Sequence, residues 1–268
     1  KRPISEARST TGRAPISVRW VDVNKGDDLC PNYRSRLVAR QIKAWDKSGQ
    51  SFFAPAPPLE SLKAVLSMSV TVLPGWKPDL RPLSKRRSQI SLVDVRRAYL
   101  NAHVDEDNPT YVALPPEDPD HSRMCAKLVR HMYGTRAAAD GWQEEYSVTL
   151  VTKMGFTQGR ATPCAFRHST RDIVINVHGD DLTGVGPAEE LDWYESELSK
   201  HYELTIQPRI GPGPEDAKEG LVLNRVIRWT ASGVAYEADP RQAERLISEV
   251  LGDNGSNPVV TPATPAKA

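Results

Sequence analysis

The sequence predicts an α+β fold built from antiparallel strands and separate helices. Three observations support this class. Short apolar runs occur around polar turns, as in hairpins, and amphipathic segments with helical spacing lie between them. The two kinds of segment do not alternate with the regular rhythm of a doubly wound parallel sheet. The length of 268 residues is enough for one or two domains with a well-buried core.

The N-terminal third is predicted to contain a basic hairpin and one helix. Residues 1–19 are polar and are expected to form a loose lead-in. Apolar patterning then indicates strands at 18–24 and 34–42 joined by a polar turn. A proline-rich extended segment, a helix that stops before Pro74 and a basic loop follow, at residues 52–58, 59–73 and 74–88.

The remaining two thirds are predicted to alternate between short strands and helices. A strand ends at Asp94, and a short helix or turn follows at 96–102. Further strands are predicted at 110–114, 165–167, 173–186 (a hairpin), 202–208, 221–229 and 233–237. Helices are predicted at 142–154, 187–201 and 240–251, with a loop at 115–121. The tail, residues 254–268, is rich in Pro, Thr and Ala and is expected to be disordered.

Charge is distributed unevenly along the chain. Residues 1–100 carry 19 Lys and Arg against 8 Asp and Glu, whereas residues 101–268 carry 16 against 26. A basic half suits a phosphate backbone and an acidic half attracts metal ions, although solvated helix faces produce the same balance. The chain also lacks the run of about 20 apolar residues that spans a bilayer, and residues 1–20 lack a signal-peptide core. We therefore expect a cytoplasmic or nuclear protein that is neither secreted nor membrane-bound.

Two adjacent aspartates at the tip of a predicted hairpin form the most informative motif. Asp180-Asp181 alone carries little weight, because 18 Asp in 268 residues give about one such pair by chance. Asp94 adds weight, since it closes a β-rich run about 85 residues upstream. Phosphoryl transfer requires two cations about 4 Å apart, which these three carboxylates and the backbone carbonyl of Val95 can hold. The pattern therefore indicates a site for two Mg²⁺ ions, with Mn²⁺ as a substitute.

The chain resembles the reverse transcriptase of copia-type LTR retrotransposons from about residue 20 to residue 264. The resemblance rests on ordered blocks, at residues 32–40 (NYRSRLVAR), 53–63, 94–102 (DVRRAYLNA), 111–116, 128–142, 155–156, 163–166 and 178–181 (HGDD). It implies a right-hand polymerase fold, with fingers at about 20–90, a palm of antiparallel sheet with helices on one face at about 90–187, and a thumb-like part at about 188–253. Thr261-Pro262 resembles the motif that precedes the family's ribonuclease H region, so the chain is expected to be a Pol polyprotein fragment.

The resemblance also implies roles for individual residues. Asp94, Asp180 and Asp181 would bind the two metal ions during transfer of dNTPs to a DNA primer on an RNA template. Tyr99 would lie under the sugar of the nucleotide and exclude a ribose 2′-hydroxyl, although a core aromatic remains an alternative. The partners implied are template, primer and dNTPs, with self-association or other Pol segments as further possibilities.

Two arginines of the predicted basic hairpin are candidates for binding the nucleotide. Arg36 and Arg40 could contact triphosphate or template, because a guanidinium matches phosphate bidentately. Exposed strand arginines are more often simply solvated, so this remains a hypothesis about the hairpin.

Several positions depart from the pattern of the family. Ala137 stands where the family has Gln, and His178-Gly179 stands where it has Tyr-Val. The departures fit either a divergent, working polymerase or a catalytically silent nucleic-acid-binding remnant, and a different two-metal phosphotransferase or nuclease is a third reading. His178 is also a candidate metal ligand or acid, the alternative being a turn histidine facing solvent.

The three cysteines indicate neither a disulfide framework nor a typical zinc site. Cys30, Cys125 and Cys164 are odd in number and widely spaced, so free thiols are expected. A zinc site made of Cys164, His168 and His178 is weakly indicated, because Cys-x₃-His lacks a second matching pair.

Overall fold

The computed structural model describes residues 1–27, 29–42, 54–71, 88–238 and 240–251, and it confirms the α+β class. The predicted loop at 74–88 and the tail at 254–268 lie almost entirely outside the described residues. The strands of this part are β1 Arg2–Pro3, β2 Val18–Asn24, β3 Tyr33–Ala39, β4 Ser88–Val95, β5 Tyr111–Ala113, β6 Met124–Lys127, β7 Thr157–Gln158, β8 Ala165–His168, β9 Ile173–His178, β10 Asp181–Pro187, β11 Leu204–Ile206, β12 Glu219–Val222, β13 Arg225–Thr230 and β14 Gly233–Glu237. Its α-helices are α1 Ile4–Thr11, α2 Leu59–Met68, α3 Ala138–Val148, α4 Ala188–Ser199 and α5 Pro240–Leu251.

A six-stranded antiparallel sheet, in the order β11-β4-β10-β9-β8-β7, forms the centre of the described fold. Two smaller three-stranded sheets, β1-β6-β5 and β12-β13-β14, and the hairpin β2-β3 accompany it. All of these strand pairs are antiparallel, as the hairpin patterning predicted.

Helices cover both faces of the central sheet, with α3 and α4 on one face and α2, from the segment predicted to form the fingers, on the other. Val93 and Val95 of β4 pack into a core with α3 and α4. Ile90 and Leu92, which point to the other face, pack into a second core with α2 and the sheet β12-β13-β14. Because β4 is apolar on both faces, each face needs its own cover. The aspartate side chain of Asp94 shares the face of Ile90 and Leu92 and lies beyond them.

Residues 1–19 are folded, so the predicted loose lead-in is wrong. Residues Arg2 and Pro3 pair with β6, and α1 buries Ala7 against Tyr111 and Cys125. The hydroxyl of Tyr111 donates to Glu6 Oε1 at 3.0 Å. The helix buries little more than one small side chain, which explains why its sequence has no strong apolar period.

The predicted strand at 221–229 is in fact a hairpin of β12 and β13. Leu223 and Asn224 form its turn, with φ angles of 50° and 59°. A two-residue turn with both φ angles positive suits antiparallel strands, but it is usually signalled by glycine. The turn sequence Leu-Asn contains no glycine and so did not indicate a turn. The short strands β6 and β7 were not predicted either.

The predicted helix at 142–154 begins earlier, at Ala138, and ends in a π-helical turn over Thr149–Lys153. Its apolar stripe, Trp142, Tyr146, Leu150 and Met154, is buried as expected. A spacing of four residues drifts around an α-helix of 3.6 residues per turn. The wider π turn offsets this drift and keeps the last two side chains in the core.

A polar network ties β4 to α4 and to the segment that follows β11. Ser91 donates to Glu195 Oε1 at 2.6 Å, and Arg209 bonds both carboxylate oxygens of Glu195, at 2.9 and 2.7 Å. The side chains of Arg209 and Glu195 are only 17% and 14% exposed, so water screens this pair poorly. The network therefore fixes the strand that carries Asp94.

We expect Arg209→Ala to lower the free energy of unfolding by about 2–3 kcal/mol, because it leaves a largely buried Glu195 carboxylate unpaired. The matched control is Arg245→Ala, which breaks the exposed pair of Arg245 with Glu249 on α5 and should cost less than about 0.5 kcal/mol. Urea unfolding of both variants measures the difference. Equal losses would contradict a structural role for the buried network.

The described part of the chain contains no helix that is both long enough and apolar enough to cross a membrane. Its three cysteines are free, with Cys30 exposed and Cys125 and Cys164 buried, which agrees with the expectation of free thiols.

Candidate active site

The strand register brings the predicted aspartates to one end of the central sheet. Asp181 at the start of β10 is the direct antiparallel partner of Asp94 near the end of β4. Directly opposed residues have side chains on the same face, with Cβ atoms about 4.5–5.5 Å apart. The N–H of Val95 donates to the carbonyl of Asp180 at 2.9 Å, which holds the turn residue against the end of β4. The pairing thus unites residues that are far apart in sequence.

The three carboxylates repel one another. Burial, followed by the negative charges of Asp180 and Asp94, raises the pKa of Asp181 to about 6. The pKa of Asp94 is raised as well, first by burial and then by Asp180, with a partial offset from the positive charges of Arg96 and Arg34. A carboxyl pKa that is raised in the folded state makes ionisation costly to the fold. A proton below about pH 6, or a cation above it, relieves that cost at Asp181.

The donor set fits a hard divalent cation, although its side chains are not closed around one. No group of three or more His, Cys, Asp and Glu side chains among the described residues is arranged to hold a metal ion as it stands. Hard cations prefer carboxylate and carbonyl oxygens, which Asp94, Asp180, Asp181 and Val95 provide. The backbone already places Asp94 opposite Asp181.

A tryptophan supports the turn that carries Asp180. The indole N–H of Trp142, on α3, donates to the carbonyl of Gly179 at 2.8 Å. The indole is 2% exposed and lies edge-on to Tyr146 and Tyr202, with ring centroids 5.5 and 5.1 Å away. Trp142 therefore couples the helix core to the backbone beside Asp180.

The backbone conformation at Gly179 favours glycine in the turn before Asp180. Gly179 has a φ angle of 64°, in the left-handed region that glycine adopts at little cost. The two-residue turn between His178 and Asp181 needs such a residue at its first central position. His178 is the direct partner of Asp181 and so lies on the same face of the sheet.

Tyr99, which the resemblance places under the sugar of the nucleotide, lies close enough to Asp180 for that charge to act on its hydroxyl. It belongs to a 3₁₀ turn, Ala98–Asn101, that starts immediately after Arg97, a residue held at a φ angle of 54°. Burial raises the pKa of the Tyr99 hydroxyl, and the negative charge of Asp180 adds to this effect. The ring is partly buried against the core beneath α3 and α4.

Arg36 and Arg34 bring positive charge to the site, whereas Arg40 lies beyond the end of its strand. Burial and then the negative charge of Asp180 raise the pKa of the Tyr133 hydroxyl, and the positive charges of Arg36 and Arg34, on β3, partly offset that rise. Arg34 also partly offsets the rise in the pKa of Asp94 that burial and Asp180 cause. Arg40 is exposed, and its backbone N–H donates to Ser17 at 2.8 Å. Arg34 was not predicted as a site residue. Its spacing of two residues from Arg36 places both side chains on one face of the hairpin and is the signal that could have identified it.

Tyr133 and Gly134 join the hairpin β2-β3 to the rest of the fold, which the sequence reasoning also missed. The carbonyl of Tyr133 accepts from the N–H of Ala39 at 2.8 Å, and that of Gly134 accepts from the N–H of Gln41 at 3.2 Å. A β-carbon added to Gly134 would lie 2.0 Å from the carbonyl oxygen of Ala39. Only glycine permits this close approach of two backbones.

We expect Gly134→Ala to lower the free energy of unfolding by about 3 kcal/mol, from left-handed strain plus the clash with Ala39. Gly12→Ala is the matched control, because Gly12 also has a positive φ angle, of 70°, but open space around its Cβ position. The control should lose only the strain, about 1–2 kcal/mol. Thermal unfolding distinguishes the two, and identical losses would show that the backbone contact is not tight.

The weakly indicated zinc site is not formed. Cys164 donates its thiol to the carbonyl of Pro55 at 3.0 Å. The ring of His168 packs instead on Phe156 and Trp193, with centroids 5.2 and 5.3 Å apart. These two residues and His178 are all within the described chain, and they do not form a metal-binding group.

Comparison with known proteins adds a family to this geometry. The sequence matches the family model described as "Reverse transcriptase (RNA-dependent DNA polymerase)" over residues 7–210, about three quarters of the chain. A search of curated proteins finds no match. The matched span contains Tyr99 and Asp180 as well as Asp94 and Asp181, which pair directly in the central sheet. The chain therefore belongs to the reverse transcriptase (RNA-dependent DNA polymerase) family.

Proposed function

We propose that the chain is the RNA-directed DNA polymerase domain of a copia-type retrotransposon, adding dNTPs to the 3′-hydroxyl of a DNA primer on an RNA template. In this proposal residues 20–90 act as fingers, 90–187 as the palm and 188–253 as a thumb-like part. The family match supports the reaction class, and the ordered sequence blocks support the copia type.

One observation carries the proposal: the register that pairs Asp94 with Asp181 and seats Asp180 against Val95. Two strands that are separated by more than eighty residues meet so that three carboxylates share one end of a sheet. Two of these carboxylates, Asp94 and Asp181, are partly buried. Carboxylates that repel each other in such surroundings cost stability, and functional sites are where such a cost is commonly found. A purely structural role for the three carboxylates would not explain why the fold keeps a cluster that destabilises it.

The carboxylates would hold two Mg²⁺ ions, with Mn²⁺ as a substitute, and the carbonyl of Val95 is proposed as a further ligand. Ions bound there would activate the primer hydroxyl and neutralise charge on the departing pyrophosphate. The protein contributes position: β4 and β10 fix Asp94 and Asp181, and Trp142 holds the turn that presents Asp180. Transfer of a phosphoryl group needs little else from the chain than such positioning and charge.

The residues around the carboxylates are proposed to bind the nucleotide. Tyr99 would lie under the sugar and exclude a 2′-hydroxyl. Arg36 and Arg34 would face the triphosphate, because their charges reach Tyr133 and, for Arg34, Asp94. Arg40, at the end of the strand away from these contacts, is proposed to bind template phosphate.

Primer extension tests this proposal. The purified chain is given an RNA template, a labelled DNA primer, four dNTPs and either Mg²⁺ or Mn²⁺. Extension that requires the RNA template and is lost in Asp180→Ala is the expected result. Absence of extension with both metals, or extension by Asp180→Ala equal to that of the parent, would overturn it. Salt-dependent hybrid binding without extension, unaffected by Asp180→Ala, would instead identify a silent nucleic-acid-binding remnant.

A further inference from the structure

The ring of Tyr133 packs against the ring of Tyr99 in a tilted arrangement. Their centroids are 4.8 Å apart and the planes are inclined by 50°. This distance lies within the range for attractive aromatic pairs. Both rings are partly buried, and burial, followed by the negative charge of Asp180, raises the pKa of both hydroxyls. Tyr133 therefore contacts the residue proposed to bind the sugar and lies within reach of the charge of Asp180.

The backbone around Tyr99 does not hold its ring firmly by itself. Tyr99 belongs to a four-residue 3₁₀ turn, a form with poorer hydrogen-bond geometry than an α-helix. The turn begins directly after Arg97, whose left-handed φ angle is unfavourable for a residue with a side chain. A ring on such a turn depends on its packing neighbours for a fixed orientation.

Tyr133, in contrast, is held from two sides. Its carbonyl accepts the N–H of Ala39 at the end of β3, and the next residue, Gly134, touches the backbone of Ala39. The positive charges of Arg36 and Arg34, which lie on β3 like Ala39, act on the hydroxyl of Tyr133. The tyrosine thus connects the basic hairpin to the ring of Tyr99.

We propose that Tyr133 is a positioning residue that sets sugar discrimination: its ring fixes the orientation of Tyr99 and so determines how strongly a ribonucleotide is excluded. This inference rests on the proposed polymerase function and on the role given there to Tyr99. The aromatic ring of Tyr133 is responsible for this discrimination, because Tyr133 contacts Tyr99 through its ring. The hydroxyl is not required.

The test compares single-nucleotide insertion of a dNTP and of the matching rNTP on an RNA template, as the ratio of their kcat/KM values. We expect Tyr133→Phe to keep the ratio of the parent. Tyr133→Ala should lower it by roughly three- to tenfold, the value of one aromatic pair. Tyr133→Leu keeps an apolar side chain but no ring, and it should lower the ratio too. It replaces the alanine variant in the test if that variant fails to fold.

Trp193→Ala is the control for general destabilisation. The Trp193 indole stacks under the Arg171 guanidinium, 3.9 Å from the ring centroid, and packs on Phe156. Its loss should lower the melting temperature without changing the ratio. If Tyr133→Ala and Tyr133→Leu keep the ratio of an active parent, the inference fails while the proposed function stands. If the parent extends no primer, the proposed function fails and the inference falls with it.

Discussion

Asp181→Asn is expected to abolish primer extension and, at the same time, to stabilise the fold above pH 6. The side chain lies opposite Asp94 and next to Asp180, where it would share in holding two cations. Loss of one carboxylate from such a site removes several kcal/mol of charge stabilisation, which corresponds to roughly a 10³-fold loss of rate. Hybrid binding should persist, because the basic hairpin is unchanged.

The gain in stability follows from the direction of the pKa shift. The pKa of Asp181 is raised from 3.8 to about 6, so the ionised carboxylate destabilises the folded state above pH 6. An amide carries no charge, so Asp181→Asn should raise the free energy of unfolding by about 1 kcal/mol at pH 7–8 in the absence of divalent metal, after allowance for solvent screening. The gain should shrink as the pH falls from 6 to 4, because the parent carboxyl becomes protonated.

Asp107→Asn is the matched control, since it removes one negative charge at an exposed position. It should leave both primer extension and pH-dependent stability close to those of the parent. Denaturant unfolding at several pH values in EDTA, together with single-turnover extension, checks both arms. A variant Asp181→Asn that extends normally, or that is less stable than the parent at pH 7–8, would contradict the arrangement of the carboxylates.

Replacement of Trp142 is the prediction with the second largest effect. Trp142→Ala removes a fully buried indole that packs on Tyr146 and Tyr202, and should cost about 3–5 kcal/mol of unfolding free energy. Trp142→Phe keeps most of the packing but loses the hydrogen bond to Gly179. Because that bond holds the turn beside Asp180, Trp142→Phe should reduce kcat by roughly 10-fold or more.

Measuring both kcat and KM shows whether Trp142 supports the turn beside Asp180 or only packs in the core. Trp142→Phe should lower kcat while leaving the KM for the template-primer near that of the parent. Trp193→Phe, the control, alters a partly buried indole that does not bond the turn and should leave kcat unchanged. Equal kcat values for Trp142→Phe and the parent would show that the Gly179 contact does not position the site.

Much of the fold was predictable from local patterns. The apolar run that ends at Asp94, the hairpin around Asp180-Asp181 and the apolar stripe of α3 each follow from spacing within one segment. Elements with weak local signals were missed. The turn at Leu223-Asn224 lacks glycine, and α1 has only one buried side chain, so neither stands out in the sequence.

The site was predictable only in part, because its geometry is non-local. The sequence singled out Asp94, Asp180 and Asp181 as candidates, but the pairing of Asp94 with Asp181 depends on β10 lying between β4 and β9. The contact between Tyr133 and Tyr99 likewise joins two turns that are more than thirty residues apart. Such contacts depend on the order of strands, which spacing within a segment does not encode.

Metal binding tests the central claim, that the three carboxylates form one site, most directly. Binding of Mn²⁺ is followed by electron paramagnetic resonance in the parent and in a variant with Asp94, Asp180 and Asp181 all changed to Asn, each with primer-template and a dNTP. We expect the parent to bind two more Mn²⁺ ions per chain than the triple variant. Equal numbers of bound ions in the two proteins would contradict it.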